Sequence, residues 1–379
     1  MELLHQRVSR RGFVAGAAVA LASLGLCRVP SLALAADETR EFVDDAGRTC
    51  VIPVAEDLVS IYYTSPVSEI YGFTLAPDLG CGTTFDPFSP EELKYLPEGY
   101  GDRPSLGTLA GGKELNPEAI INAGPQLILS ITQTSEITQS DIDTADDIQE
   151  KTGIPCIILK GGMDDVVELY TRLGDLLGRE DDAKVLSEYC AGVLEDVEKA
   201  VESVPEDERV TLYYAEGPEG LQTEPEDSSH ALTFKIAGAK NVADVEGSNR
   251  VEVSLEQVLA WDPEVIIAWS TVIRGGASDV IPEDPNWAEI KAVKDGRVYT
   301  MPNTPFSWCD RPPSVNRFLG IQWVANMLYP EAYDIDMVEV TKEFYSLFYH
   351  VEITDDDALE LLGNSYPAVT EAEAEADAK

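Results

Sequence analysis

Short apolar runs rich in β-branched residues alternate with segments of helical period along this chain, and the alternation occurs twice. A strand that returns through a helix pairs with a parallel neighbour, so the pattern restricts the fold to α/β units around mainly parallel sheets. In the first half it predicts strands over 58–62, 126–131 and 155–159, separated by helices over 66–76 and 140–152. In the second it predicts strands over 209–215, 264–269 and 297–301, with helices near 231–237, 254–260 and 313–328. Between the halves, 164–177 and 180–204 read as two helices broken at Gly178, the second with apolar residues at Val185, Leu186, Tyr189, Val193 and Val197. At 1.5 Å per residue that second helix would span roughly 37 Å. The expected architecture is α/β, two Rossmann-like lobes over 37–179 and 205–362 joined by a long rigid helix over 180–204. A packed helix cannot absorb the dihedral changes of a loop hinge, so lobe closure should be small. A ligand would sit in the cleft between lobes, outside the carboxyl ends of the strands.

Arg7, Arg10 and Arg11 precede an apolar stretch from Phe13 to Leu26 and a small-x-small site at Ala33-Leu34-Ala35. This predicts an export signal over 1–35 and a mature protein outside the cytoplasm, periplasmic or at the cell surface. Ser9-Arg10-Arg11-Gly12-Phe13-Val14 resembles the twin-arginine export pattern. Leu26 stands before Cys27, where lipid-modified cysteines follow a small residue, which argues against anchoring there. Residues 363–379 are expected to be a disordered acidic tail.

The chain carries 27 Lys+Arg against 69 Asp+Glu, a net charge of -42 that opposes binding to phosphate backbones and anionic membranes. Nucleic acid is thereby excluded as a partner, and no apolar run in the body is long enough for a membrane span. Cys50, Cys81, Cys156, Cys190 and Cys309 have irregular spacing and no CxxC, leaving room for one or two disulfides with at least one thiol over. Enzyme signatures fail. The stretch from Gly107 to Lys113 has P-loop spacing, but Glu114 stands where Ser or Thr should hold magnesium. There is neither a GxSxG elbow nor a GxGxxG fingerprint. An adhesin would need repeats or a broad apolar face, and the sequence has neither.

Val253-Ser254-Leu255-Glu256-Gln257-Val258-Leu259-Ala260-Trp261-Asp262-Pro263-Glu264-Val265-Ile266-Ile267 resembles a block of the ABC-importer solute-binding proteins for ferric siderophores, haem and vitamin B12. Leu115-Asn116-Pro117-Glu118-Ala119-Ile120 with Pro125-Gln126-Leu127-Ile128-Leu129 is its counterpart in the first lobe. Further similar blocks are Lys151 to Cys156, Ala237 to Ala243, Trp287 to Tyr299 and Pro305 to Pro313, so the resemblance runs from about Cys50 to about Leu362. It implies the two-lobed fold of that class and an extracytoplasmic, monomeric binding protein without catalysis, which hands its cargo to a permease dimer and its ATPase subunits. It also implies that Glu118 and Glu256 are the pair of glutamates that form salt bridges with permease arginines. The alternative for both is compensation of a helix macrodipole in the first turn.

Ligand contacts are expected from loops after strands: Thr64, Ser65, Thr84, Phe85, the Gly111-Gly112-Lys113 turn and Thr132 in the first lobe, and Glu216, His230, Trp269, Trp308 and Arg311 in the second. Trp308 and Arg311 together offer an apolar wall beside a fixed guanidinium, which suits a bulky anionic chelate. Trp308 could instead be a core residue, Arg311 could pair with Asp310 or another carboxylate, and His230 could be a metal-capping residue or an exposed cap neighbour. Only His230 and His350 lie beyond the signal, too few for a histidine cage around bare zinc or manganese. The expected cargo is therefore a chelated metal of the ferric siderophore type, with no cofactor. Haem, a corrinoid, molybdate or tungstate are the alternatives. Haem would need an axial ligand such as Tyr63 or His230, whereas related proteins with a similar Trp-x-x-Arg-Pro-Pro segment bind oxyanions.

Overall fold

A computed structural model describes residues 7–9, 38–247 and 250–365. The expected export signal lies outside these apart from Arg7–Ser9, and the expected tail apart from Gly363–Ser365, which is a 3-10 turn. The chain divides into two compact units, one of Met1–Cys190 with Phe348–His350, the other of Ala191–Leu347 with Val351–Lys379.

The first unit holds two sheets. β1 (Arg7–Ser9), β2 (Glu38–Val43) and β3 (Thr49–Pro53) form an antiparallel sheet in that order. β4 (Ile61–Tyr63), β5 (Leu127–Ile131) and β6 (Cys156–Leu159) form a parallel one, with Ile61 opposite Leu127 and Ile128 opposite Cys156. Every residue of β4 and β6 is buried, as a parallel sheet covered on both faces requires. α1 (Pro66–Leu75) starts where the Ser65 hydroxyl accepts the Ser68 N–H at 3.2 Å, with Pro66 pre-set for the first turn. It packs so closely on β4 that a Cβ at Gly72 would lie 2.1 Å from the Tyr63 ring. α2 (Pro117–Ala123) is capped by Asn116, and α3 (Gln139–Thr152) by a Thr138–Asp141 box. α4 (Val166–Leu177) ends at Gly178, whose φ of 66° suits a residue without a side chain. Ile120, Ala145, Ile148 and Ile154 pack against the sheet residues Tyr62, Ile128, Cys156 and Ile158.

α5 (Glu180–Glu202) follows, and the division between the units falls within it. Leu186, Val193 and Val197 are buried along it, but Val185 is 51% exposed, so the apolar stripe is narrower than the sequence suggests.

In the second unit β7 (Thr211–Ala215) lies beside β9 (Lys240–Asn241) and β11 (Val265–Ala268), and β11 beside β12 (Val298–Thr300), all parallel. The short β8 (Gln222–Thr223) and β10 (Val251–Glu252) pair antiparallel. α6 (Leu232–Ile236), α7 (Leu255–Trp261) and α8 (Thr271–Arg274) follow β8, β10 and β11 respectively. α9 (Asn316–Leu328) is buried along its whole length, which explains its lack of an amphipathic stripe. α10 (Met337–Tyr349) and α11 (Asp355–Leu362) complete the unit, except that Phe348–His350 belong to the first.

All six expected strands are present, each one or two residues shorter than the apolar run that announces it. Cys81, Cys190 and Cys309 carry free thiols, so the two-disulfide arrangement allowed by five cysteines does not form. Among the described residues no helix is long and apolar enough to cross a membrane.

Candidate functional site

The carboxyl ends of the strands in the second unit carry a compact cluster of charges. Glu216 follows β7 and Trp269 follows β11. Arg311 reaches them from the loop before α9, with its backbone at φ 47°, a left-handed conformation that costs a non-glycine residue roughly 1–2 kcal/mol. Its guanidinium meets three fully buried carboxylates: Glu224 at 2.5 Å, Glu216 at 3.4 Å and the adjacent Asp310. Arg250 approaches Glu216 from the other side at 3.5 Å. Arg274, the last residue of α8, donates to Asn303 at 2.7 Å and to the carbonyl of Arg311.

These three cations converge on one ring. The guanidinium carbons of Arg274, Arg250 and Arg311 stand 5.0, 5.3 and 5.6 Å from the centroid of Trp269, within the range in which a ring quadrupole attracts a cation. Trp269 is held from beneath: its indole N–H donates to the Tyr214 hydroxyl at 2.5 Å. Gly276 packs against it so tightly that a Cβ there would lie 2.3 Å from the Trp269 carbonyl oxygen.

Electrostatics differ sharply among the three acids. Burial pushes Glu216 up to about 8, against the pull of Arg311, with Asp310 and Glu224 adding to the rise. Burial would also raise Asp310, but the hydrogen bond with His230 and the charges of Arg311, His230 and Arg317 outweigh it and hold Asp310 below the ordinary range. Glu224 is braced by the Ser228 hydroxyl at 2.6 Å.

Four of the expected contacts, Glu216, His230, Trp269 and Arg311, therefore lie in this cluster. His230 is neither an exposed cap neighbour nor bare, since its Nδ1 is engaged by Asp310 and its side chain is half-buried. Any cargo contact of His230 would go through Nε2. Trp308 is not part of the cluster. It is completely buried, and its indole N–H points to the Tyr345 hydroxyl at 3.4 Å, because the loop before α9 turns its bulk into the core. Arg311 does pair with Asp310, the alternative its neighbourhood suggested. Arg250, Arg274 and Glu224 were not singled out in the sequence; the anomaly of arginines in so acidic a chain could have drawn attention to the first two, and no signal marks Glu224.

In the first unit the expected residues are more scattered. Thr64 is buried and donates to Ser130 at 3.1 Å, Ser65 caps α1, and Thr132 donates to the Thr134 carbonyl at 2.7 Å. Lys113 is exposed on its glycine turn. Phe85 lies half-buried against Phe88, with ring centroids 5.4 Å apart. Thr84 is held by a residue that sequence reasoning missed: buried Glu69 accepts from the Thr84 amide at 2.6 Å and from the Tyr100 hydroxyl at 2.5 Å. Its signal was a carboxylate in an otherwise apolar helix. Tyr63 is 1% exposed in the core of this unit. Glu118 and Glu256 are both exposed in the first turns of α2 and α7. Among the described residues no group of three or more His, Cys, Asp and Glu could hold a metal ion.

The sequence pattern of the periplasmic binding protein family matches residues 85–305. An ABC transporter solute binding protein from Sulfurospirillum deleyianum DSM 6946 has a similar structure, with a TM-score of 0.74 and 31% identity over 85% of this chain and 98% of that one. The molybdate-binding protein MolA of Haemophilus influenzae is 35% identical over 159 residues, which span 41% of this chain and 43% of that relative. The high-affinity heme uptake system protein IsdE of Staphylococcus aureus is 25% identical over 57% of this chain and 72% of its own length.

Proposed function

The chain belongs to the periplasmic binding protein family, and from that premise we propose that it is the extracytoplasmic substrate-binding component of an ABC importer, taking a small anionic cargo at the arginine cluster of its second unit. The observation that carries this reading is the convergence of Arg250, Arg274 and Arg311 on Trp269 in a chain of net charge -42. The buried carboxylates account for part of that charge, and each guanidinium also offers planar, directional donors suited to oxygen-rich anions. A metal-centred oxyanion of the molybdate kind is the cargo best supported, since one relative is named for binding molybdate.

A ferric siderophore is the second reading. Val272 is 88% exposed and Ile273 49% exposed beside Arg274, an apolar rim that suits an organic shell around a charged centre. Haem finds less support, because Tyr63 is buried away from solvent and only Nε2 of His230 is left to serve as an axial ligand. Exposed Glu118 and Glu256 are proposed to engage the permease, and the protein is proposed to bind without turnover.

Tryptophan fluorescence of residues 36–379 should be titrated with molybdate, tungstate, a ferric siderophore, haem and cobalamin. Saturable quenching by one of the anions, lost in Arg311→Ala, is expected. Quenching by cobalamin alone, or by an anion equally well in wild type and Arg311→Ala, overturns the arginine-cluster reading.

A further inference from the structure

Glu216 occupies a position in which the cargo and a protein carboxylate would compete. Its side chain has no solvent exposure, yet it bridges Arg311 at 3.4 Å and Arg250 at 3.5 Å, whose side chains are 25% and 40% exposed. Glu216 is also one of the residues that wall a recess of about 210 Å³, with the turn Gly217, Pro218 and Glu219. Glu216 is therefore shared between the wall of this recess and the two cations that an incoming anion would meet.

We propose that cargo binding at the arginine cluster is coupled to the uptake of one proton by Glu216, the anion replacing its carboxylate as partner of Arg311 and Arg250. This rests on the anionic-cargo reading above. An anion brought to the two guanidiniums adds negative charge beside a carboxylate that burial has already stripped of water. Two anions sharing the same cations at this depth repel, and the one that can be neutralised by a solvent proton is the carboxylate. The balance is simple: the free protein, one anion and one proton give a complex with a carboxylic acid at Glu216, and no bond other than O–H forms.

The surrounding groups leave Glu216 as the one that responds. Arg311, Arg250 and Arg274 surround it as guanidinium groups. Asp310 faces it as a carboxylate held ionised by His230 and Arg311, and Glu224 is tied to Arg311 and Ser228. Tyr213 and Tyr214 of β7 are kept un-ionised by burial. Across the recess lie Glu219 and Glu252. Glu216, pushed up to about 8 by its burial, starts from the point where a neighbouring charge changes its proton occupancy most.

The test is calorimetric titration of residues 36–379 with molybdate between pH 7 and pH 10, in two buffers of different ionisation enthalpy, so that protons taken up are counted directly. Molybdate does not itself change protonation in this range. Expected is uptake approaching one proton above about pH 8, with affinity falling up to tenfold per pH unit there and levelling below it. Glu216→Gln should take up no proton, and its affinity should not change across the same range. Wild-type binding without proton uptake, or a Glu216→Gln variant with the wild-type pH dependence, overturns the coupling while leaving the anion reading intact. Absence of binding by molybdate, tungstate, haem and the ferric siderophore at every pH overturns both. Because the proton count is made on the wild type, the result does not hinge on whether the variant folds.

Discussion

The guanidinium of Arg48 grips the carboxylate of Asp44, with Nη2 at 2.7 Å and Nε at 3.0 Å from Oδ2, where Asp44 has no contact with solvent. The same guanidinium donates to the carbonyl of Cys156 at 2.7 Å, and Asp44 accepts the N–H of Ile158 at 3.2 Å. The turn between β2 and β3 is thus fastened to β6 by a pair of charges. Asp44→Ala would leave Arg48 only the exposed Asp146, at 2.7 Å, as counter-ion and the Ile158 N–H without its acceptor, at a cost of about 1–3 kcal/mol. A urea midpoint unchanged from wild type would show that water replaces the lost carboxylate.

The two tryptophans near the cluster should behave oppositely. Trp269 lies against three guanidiniums, whereas Trp308 is buried with its indole N–H toward the Tyr345 hydroxyl. Trp269→Phe should abolish most of the cargo-induced fluorescence change, whereas Trp308→Phe should retain it. Trp269→Ala should weaken anion binding by about 5–30-fold, the equivalent of roughly 1–2 kcal/mol of partly desolvated cation–π attraction.

Stability should respond to pH through two buried acids with opposite signs. Glu216 rises from 4.5 to about 8 on folding because of burial, so between these values the native state holds a proton the unfolded chain has released. Its contribution is full below pH 4.5 and is lost as pH rises through about 8. Burial opposes ionisation of Asp310 too, yet His230 and Arg311 hold it below 3.8, so its contribution is present above that value and lost in acid. Glu216→Gln should flatten the decline in urea stability from pH 5 to pH 9 and leave the acid limb in place. A variant that declines as steeply as wild type would show that Glu216 is ionised in the native state throughout.

Glu118 and Glu256 are exposed in the first turns of helices whose N-caps are Asn116 and Ser254. Reversing both charges, Glu118→Lys with Glu256→Lys, should leave cargo affinity within twofold and cut uptake by a reconstituted importer at least tenfold, since rim charges set docking register and encounter rate. Loss of cargo affinity would instead assign these residues a structural role.

Within each unit, the alternation of strand and helix was legible because its signals are local. The apolar runs ending at Ile131, Leu159 and Ala268 each build one strand, and Ser65, Thr138 and Ser254 cap the helices that their spacing announces. The β2–β3 hairpin was not read from the sequence, since Glu38–Val43 carries charges at 38, 40 and 41; its turn is made locally, with Gly47 at φ 78° and Asp44 Oδ1 accepting the N–H groups of Ala46 and Arg48 at 3.1 and 2.9 Å, and is fastened to β6 by Arg48 and Asp44.

The candidate site divides along the same line. Placement after a strand drew attention to Glu216 and Trp269, and the Trp-x-x-Arg segment to Arg311, by residue type and position alone. Which side chain faces solvent and which faces the core was decided by tertiary packing: Trp308 was turned inward, and Trp269 was set among three arginines from three separate segments of the chain. Arg311 finds Glu216 and Glu224 across 95 and 87 residues of chain. No local pattern encodes such a meeting, because the energy of a buried charge depends on what the folded chain brings within a few ångströms of it. The sequence by itself determined the α/β units and the excess of negative charge; the folded structure decided that three of its cations would be gathered around one ring.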